Sequence, residues 1–92
     1  MVIIYSTSWC PSCVSAKRLL ESKNVKYEEI NIEEVNISRE KLAEIAGAAT
    51  VPQIVINDTP IGGFDNLLEL EQNGKLNEML KIWLQNSIKK IY

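Results

Sequence analysis

Histidine is absent from the chain, cysteine occurs only twice, and basic residues are not in excess. Ten lysines and arginines stand against twelve aspartates and glutamates, which gives a net charge of −2. Nucleic-acid-binding proteins usually carry a strongly basic surface, so we expect no nucleic-acid partner. The apolar start VIIYS is too short, and turns polar too soon, for a signal sequence or a membrane span. We therefore expect a cytoplasmic protein that does not bind membranes.

The length and composition indicate one globular domain over residues 1–92. A hydrophobic fraction of 46% is enough for a real core, whereas 92 residues are too few for a second domain of ordinary size. We expect this domain to be a monomer. Six glutamates lie between Glu28 and Glu44. We interpret this stretch as a solvated acidic face, with the steering of a partner as the alternative.

Both cysteines lie in the segment SWCPSC, residues 8–13, where Pro11 and Ser12 separate Cys10 from Cys13. A structural disulfide would close a very short loop and would therefore add little stability. A closed zinc site needs about four ligands, and two thiolates without any histidine leave it two short. A redox-active pair needs only the two cysteines and a suitable local structure. A disulfide that cycles is also compatible with the cytoplasm, so we favour this interpretation.

The residues around the cysteines predict a buried strand followed by an amphipathic helix. VIIY is a short, β-branched run typical of a buried strand. Cys13 and Leu20 then fall on one helical stripe, and Pro11 suits the first turn of the helix. Cys10 lies at the helix N-terminus, where the dipole and N–H groups favour a thiolate and lower the pKa of a thiol from about 8.5. We predict that Cys10 attacks and that the buried Cys13 resolves, with N–H···S hydrogen bonds from Ser12 and Cys13.

The rest of the chain predicts further strands and helices. KYEEINI is a predicted second strand with three apolar members: Tyr27, Ile30 and Ile32. Ser38 is a suitable N-cap for a second helix, and Gly47 is suited to end it. The predicted buried stripe of this helix contains Leu42, Ile45 and Ala46. PQIVI predicts a third strand, and a turn at residues 57–60 leads to a short fourth strand near Ile61.

Helical patterns resume from about Asn66 and continue to the C-terminus. The last stripe is long: Leu76, Met79, Leu80, Trp83, Leu84, Ile88 and Ile91. We expect Trp83 to dock this helix in the core, with an exposed dimer seam as the alternative. The order of elements predicts an α/β fold with a four-stranded mixed sheet and helices on both faces. Two parallel strands come from the first half and an antiparallel pair from the second.

Three motifs follow one another in the chain: CPSC at 10–13, TVP at 50–52 and GGFDN at 62–66. With these motifs the chain resembles a dithiol glutaredoxin of the thioredoxin-fold superfamily over nearly its whole length. The resemblance implies a thioredoxin-like fold, a cis peptide bond before Pro52, and glutathione as reductant and co-substrate without a metal. It also implies a thiol–disulfide oxidoreductase that transfers electrons to protein disulfides or glutathionylated proteins through Cys10 and Cys13.

The resemblance implies a set of glutathione contacts as well: Arg39, Thr50, Val51, Pro52, Gly63, Asp65 and Asn66. Val51 would offer its unpaired backbone groups in the manner of strand addition. The N–H groups at Asp65 and Asn66 would hold the γ-glutamyl carboxylate, and the Asp65 side chain would meet the ammonium group. Arg39 would bind the glycyl carboxylate. Without the resemblance, Asp65 would be interpreted as a helix N-cap and Arg39 as a surface charge.

Three residues of the active-site segment depart from the dithiol glutaredoxin pattern. Ser12 stands where tyrosine is usual, Thr7 stands where many members have lysine, and Trp9 is more similar to thioredoxins. Trp9 is interpreted either as a partly exposed packing residue or as part of a docking surface. These departures favour an alternative, a small redoxin recharged by thioredoxin reductase. A second alternative is an iron–sulfur carrier in which Cys10 thiolates and glutathione hold a cluster, and Pro11 argues against it.

Overall fold

The structure, a computed structural model, describes residues 1–80 of the chain, which form four strands and several helices. The elements are β1 (Val2–Ser6), α1 (Pro11–Ser22), β2 (Glu28–Asn31), α2 (Arg39–Ala46), β3 (Gln53–Ile56), β4 (Thr59–Gly62) and α3 (Phe64–Gln72). Residues 75–80 are also helical. The predicted core positions Trp83, Leu84, Ile88 and Ile91 lie outside the described residues. None of the helices within residues 1–80 combines the length and the hydrophobicity that a membrane-spanning helix requires.

The four strands form one mixed sheet in the order β2-β1-β3-β4. β1 and β2 are parallel, and α1 provides the crossover that such a pair requires. β1 and β3 are antiparallel, with Ile4 opposite Ile54. β3 and β4 form an antiparallel hairpin, whose turn residues Asn57 and Asp58 have positive φ angles of 49° and 67°. The predicted four-stranded mixed sheet is confirmed.

Side chains that alternate along the strands build a core on each face of the sheet. One core joins the sheet to α1, α3 and residues 75–80, and includes Val2, Ile4, Ala16, Leu20, Ile54, Ile56, Leu67, Leu76 and Leu80. The other joins the sheet to α2, and includes Tyr5, Ile32, Leu42, Ala46 and Val55. Helices therefore cover both faces of the sheet, as predicted, and the C-terminal ends of β1 and β2 converge on one edge of the fold.

The second predicted strand is shorter in the structure than its sequence pattern suggests. KYEEINI spans seven positions, but only Glu28–Asn31 pairs with β1. Tyr27 and Ile30 pack against opposite cores, which is the expected result for residues an odd number of positions apart along an extended chain. Ile32 is buried in the turn that follows, where its N–H donates to the Ser6 carbonyl at 2.9 Å.

Both predicted ends of α2 are confirmed. Ser38 is the N-cap, and its hydroxyl accepts a hydrogen bond from the Lys41 N–H at 3.0 Å. Gly47 ends the helix in the left-handed conformation, with φ at 91°. The predicted stripe is only partly right, because Leu42 and Ala46 are buried whereas Ile45 is 37% exposed. A helix of two turns buries only a narrow stripe against the sheet, and Ile45 lies beyond the edge of that stripe.

Candidate active site

Cys10 and Cys13 are joined by a disulfide at the N-terminus of α1. Cys10 is the N-cap of this helix and Pro11 is its first residue. The backbone N–H of Cys13 donates to Cys10 Sγ at 3.0 Å, and is one of the two donors that the sequence predicts. Cys13 is only 2% exposed, whereas Cys10 is half-buried, so an incoming sulfur meets Cys10 first. Within residues 1–80, no three histidine, cysteine, aspartate or glutamate side chains are grouped as a metal site would require.

A cleft of about 510 Å³ opens beside the disulfide segment, which it meets at Ser12. Most of the residues predicted to contact glutathione line this cleft: Thr50, Val51, Pro52, Gly63, Asp65 and Asn66. The other predicted site residues lie outside the lining: Trp9, Cys10, Pro11, Cys13 and Arg39. The fold thus brings three separate segments of the sequence, around residues 12, 51 and 64, to one concave surface.

The wall of the cleft at residues 50–52 is fixed by a side chain that the sequence did not identify. The Val51–Pro52 peptide bond is cis, as the resemblance implies. Gln53, which is 2% exposed, donates from Nε2 to the Thr50 carbonyl at 2.9 Å and to the Thr50 hydroxyl at 3.1 Å. Val51 precedes the first paired residue of β3, so its backbone groups do not belong to the sheet ladder. The sequence does contain one signal for this role, because Gln53 is the lone amide residue in the otherwise apolar run PQIVI.

Arg39 is held close to this wall but does not line the cleft. It is the first residue of α2, and its Nη1 donates to the Ala49 carbonyl at 2.9 Å. Ala49 immediately precedes Thr50. This bond uses one of the five N–H donors of the guanidinium group. The exposed positive charge of Arg39 therefore lies at the rim of the cleft, because the residue to which it is bonded, Ala49, is next to the lining residue Thr50.

The opposite wall is the turn between β4 and α3. Gly62 has φ at 115°, and a Cβ there would lie 2.6 Å from Asn66 Oδ1. Gly63 is the N-cap of α3, and its N–H donates to the same Asn66 oxygen at 3.1 Å. The helix therefore begins at Phe64, two residues before the predicted start. Asp65 lies within the first turn, so the alternative of Asp65 as the N-cap is wrong.

The unpaired N–H groups of the first turn of α3 are positioned at the cleft. Asp65 and Asn66 both line it and both belong to this turn. The first N–H groups of a helix have no partner within the helix, and the helix dipole makes this end favourable for an anion. Asp65 adds an exposed carboxylate, so the same wall offers donors for a carboxylate and an acceptor for an ammonium group.

A polar cluster connects α1 to the sheet at the end of β1. The buried Ser6 hydroxyl donates to Glu29 Oε2 at 2.7 Å, and Lys17 Nζ lies 3.0 Å from the same oxygen. The hydrogen bond from Ser6, and then the hydrogen bond and charge of Lys17, outweigh burial and lower the pKa of Glu29. Pairwise contacts between residues so distant in sequence leave no local pattern, so the sequence did not reveal this cluster.

The turn after β2 holds the segment that precedes Cys10. Glu33 Oε1 accepts a hydrogen bond from the Ser8 N–H at 3.0 Å, and Asn31 Nδ2 donates to Ser8 Oγ at 3.2 Å. Trp9 is the next residue, and its side chain is 84% exposed. Such exposure disagrees with the interpretation of Trp9 as a packing residue. The fold also places part of the acidic stretch directly beside the active-site segment.

A mixed sheet of this topology, with a Cys-x-x-Cys disulfide at a helix N-terminus and a cis-proline before β3, defines a thioredoxin-like protein with a redox-active dithiol. The glutaredoxin family model matches residues 2–61. A glutaredoxin of Pseudomonas aeruginosa is 48% identical over 79 residues, which cover 86% of this chain and 94% of that protein. The chain belongs to the glutaredoxin family.

Two further comparisons agree with this assignment. Glutaredoxin 3 of Escherichia coli is 42% identical over 80 residues, covering 87% of this chain and 96% of that protein. The crystal structure of a buckwheat glutaredoxin–glutathione complex is similar with a TM-score of 0.78 at 28% sequence identity. That similarity covers 87% of this chain and 76% of the buckwheat chain. The predicted thioredoxin-like fold is confirmed.

Proposed function

We propose that this protein is a glutathione-dependent thiol–disulfide oxidoreductase that reduces protein disulfides and glutathionylated proteins. One observation carries the proposal: a half-buried Cys10 at a helix N-terminus is bonded to a buried Cys13, in a segment that meets an open cleft at Ser12. The membership of the chain in the glutaredoxin family supports glutathione as the electron donor.

Two molecules of glutathione reduce the Cys10–Cys13 disulfide. The first thiolate attacks Cys10 Sγ, because this sulfur is the more accessible one, and Cys13 leaves as a thiolate that takes up a proton. The second glutathione attacks the glutathione sulfur of the mixed disulfide and releases the Cys10 thiolate with oxidised glutathione. The helix N-terminus and the Cys13 N–H stabilise the thiolate that is formed at Cys10.

The reduced enzyme then transfers two electrons to its substrate. The Cys10 thiolate attacks one sulfur of a substrate disulfide, and the other sulfur leaves as a thiolate that is protonated. With a protein disulfide, Cys13 attacks Cys10 Sγ, releases the second substrate thiol and restores the enzyme disulfide. With a glutathionylated protein, a second glutathione can take the place of Cys13.

We place glutathione in the cleft, with Val51 pairing to its backbone and the first turn of α3 holding its γ-glutamyl carboxylate. Asp65 meets the ammonium group, and Arg39 meets the glycyl carboxylate from the rim. The lining of the cleft and the position of Arg39 beside Ala49 support these roles. Ser12 offers no flat apolar wall, so we expect weaker binding of glutathione than a tyrosine at this position would give.

Two cysteine variants test the mechanism. Turnover of a mixed disulfide between glutathione and a small thiol is measured with glutathione and glutathione reductase. Cys13→Ser should retain part of this activity, because glutathione can resolve the intermediate, whereas Cys10→Ser should abolish it. Robust activity of Cys10→Ser would contradict the proposal.

The physiological electron donor and compartment are part of the same proposal. Faster turnover with thioredoxin reductase than with glutathione would favour the alternative of a redoxin recharged by that enzyme. Reduction of the disulfide by glutathione needs a compartment that keeps glutathione reduced, so we propose that the protein acts in the cytoplasm. We also propose that it acts as a monomer, since one chain supplies both cysteines and the whole cleft.

A further inference from the structure

Exposed apolar side chains flank the disulfide segment outside the cleft. Trp9 is 84% exposed, the most exposed large hydrophobic residue within residues 1–80, and it directly precedes Cys10. Val14 is 42% exposed and lies one helical turn after Cys10, to whose carbonyl its N–H donates at 3.1 Å. Neither residue lines the cleft. Tryptophan is enriched at the energetic centres of protein interfaces, so an exposed indole beside the reactive sulfur is suited to contact a bound polypeptide.

A negative charge is fixed next to this apolar surface. The Glu33 carboxylate accepts a hydrogen bond from the Ser8 N–H at 3.0 Å, which holds it one residue from Trp9. The ion pairs in the described part of the chain join Lys17 to Glu29, Lys23 to Glu71 and Lys41 to Glu44. Within residues 1–80, neither Glu33 nor its neighbour Glu34 is therefore neutralised by a basic side chain. An arginine or lysine that stacks on an indole would gain a carboxylate partner here.

We propose that Trp9, Val14 and Glu33 form a docking surface for the polypeptide part of a substrate, and that this surface selects targets with arginine or lysine beside the reactive cysteine. The proposal rests on the proposed function and specifies its substrate class. The cleft at Ser12 accepts the glutathione part of a glutathionylated protein, so the docking surface is left for the polypeptide. Complementary charge there raises the rate of productive encounter and suppresses acidic partners.

The selected reaction is the transfer of glutathione from the substrate to Cys10. The Cys10 thiolate attacks the glutathione sulfur, the bond to the substrate sulfur breaks, and the polypeptide leaves as a thiolate that takes a proton from solvent. Glutathione then attacks the glutathionylated Cys10, which regenerates the thiolate and yields oxidised glutathione. Contacts at the docking surface act on the polypeptide before the disulfide breaks, so they change kcat/KM for peptides.

A matched pair of peptides tests the selection. Each peptide carries one glutathionylated cysteine, flanked by arginines in one and by glutamates in the other, and the mixed disulfide of glutathione with a small thiol serves as reference. We expect kcat/KM to favour the arginine peptide by about three- to tenfold at low salt, the effect of one or two exposed charge pairs. The preference should shrink as ionic strength rises, because exposed charges are screened.

Three variants distinguish the effect of the docking surface on kcat/KM from the effect of the net charge of the protein. Glu33→Gln keeps an acceptor for the Ser8 N–H but removes the charge, and should reduce the preference by at least about twofold. Trp9→Ser should lower kcat/KM for the arginine peptide by about tenfold relative to the small mixed disulfide. Asp58→Asn is the control: it removes one exposed charge at the turn beside Met1, at the other end of the sheet, and asparagine tolerates the φ of 67°.

The outcomes distinguish this inference from the proposed function. Equal kcat/KM for the two peptides, or equal effects of Glu33→Gln and Asp58→Asn, would overturn the docking surface. Normal turnover of the small mixed disulfide in the same experiments would leave the proposed function standing. If the wild-type protein turned over none of the three substrates, the proposed function would fail and the docking surface with it.

Discussion

Gln53 donates two hydrogen bonds from one amide nitrogen to Thr50, at 2.9 Å to its carbonyl and 3.1 Å to its hydroxyl. The two residues lie on either side of the Val51–Pro52 peptide bond, so the buried carboxamide ties the start of β3 to the wall of the cleft. Gln53 Oε1 is itself buried, and within residues 1–80 no donor reaches it. The side chain therefore positions the backbone of Val51 without contacting the reacting sulfurs.

Replacing Gln53 with leucine should weaken the binding of glutathione more than it slows the chemistry. Gln53→Leu keeps the volume but removes both hydrogen bonds to Thr50. Because Thr50 is exposed to water and the unpartnered Gln53 Oε1 is removed as well, we expect this change to cost only about 1 kcal/mol of stability. We expect the KM for a small glutathione mixed disulfide to rise by about tenfold, with a smaller change in kcat, because the loop that lines the cleft is no longer fixed.

Thr50→Val is the matched comparison for this prediction. It removes the weaker of the two hydrogen bonds but retains the bond to the carbonyl, so the KM should change by only about two- to threefold. Steady-state kinetics of both variants with the same small glutathione mixed disulfide measure these changes in KM. An unchanged KM in Gln53→Leu, in a protein that is still folded by circular dichroism, would show that Gln53 does not position the cleft.

The free energy of unfolding should depend on pH through Glu29. The hydrogen bond from Ser6, and then Lys17, lower the pKa of Glu29 below its ordinary value of 4.5. The unfolded chain takes up this proton first, so the stabilisation is complete above pH 4.5 and is lost as the pH falls through the folded-state pKa. Because the Glu29 side chain is 36% exposed, solvent screens the interaction and we expect the effect to be about 1 kcal/mol or less.

Urea denaturation of Glu29→Gln at a series of pH values measures this contribution. The variant should be less stable than the wild type near neutral pH, and the difference should shrink as the pH falls from about 5 to about 3. Glu28→Gln is the control, because the neighbouring Glu28 makes no ion pair with any residue in 1–80. The same pH profile for both variants would exclude a special role of Glu29.

The elements of the fold follow from local sequence patterns, whereas much of the active-site scaffold does not. Alternation in the strands and the caps at Ser38 and Gly47 are properties of neighbouring residues, so the sequence predicts them. Gln53 and Glu33 act through contacts that exist only after the chain has folded. Six of the residues that line the cleft were predicted only as glutathione contacts, through the resemblance to glutaredoxins, because periodicity cannot reveal such contacts.

Two residues of α2 show where the helical pattern alone predicts burial correctly and where it does not. The sequence places Leu42 and Ile45 on the same buried stripe, but Leu42 is 0% exposed and Ile45 is 37% exposed. Leu42→Ala should therefore lower the free energy of unfolding by about 2–5 kcal/mol, through lost burial and a cavity. Ile45→Ala should cost about 1 kcal/mol or less, since its side chain already contacts water and alanine favours the helix. Similar losses in chemical denaturation would contradict the structure.

A final prediction concerns Gly62, where two separate effects oppose any larger residue. Alanine there has to adopt a φ of 115°, and its Cβ would lie 2.6 Å from the Asn66 carboxamide that accepts the Gly63 N–H. Gly62→Ala should lower the free energy of unfolding by about 2–4 kcal/mol, more than backbone strain alone. Gly47→Ala is the matched control, because Gly47 has φ at 91° but open space around it.

The double variant Gly62→Ala, Asn66→Ala separates the two effects at Gly62. Asn66→Ala alone removes the hydrogen bond to the Gly63 N–H and should cost about 1 kcal/mol. In that background the overlap with the Asn66 side chain is gone, so Gly62→Ala should cost only the backbone strain, close to the cost of Gly47→Ala. The double variant should therefore be more stable than the sum of the single changes implies, as measured by urea denaturation. Strict additivity would mean that Asn66 moves aside freely, and that the turn tolerates a Cβ at Gly62 apart from its φ.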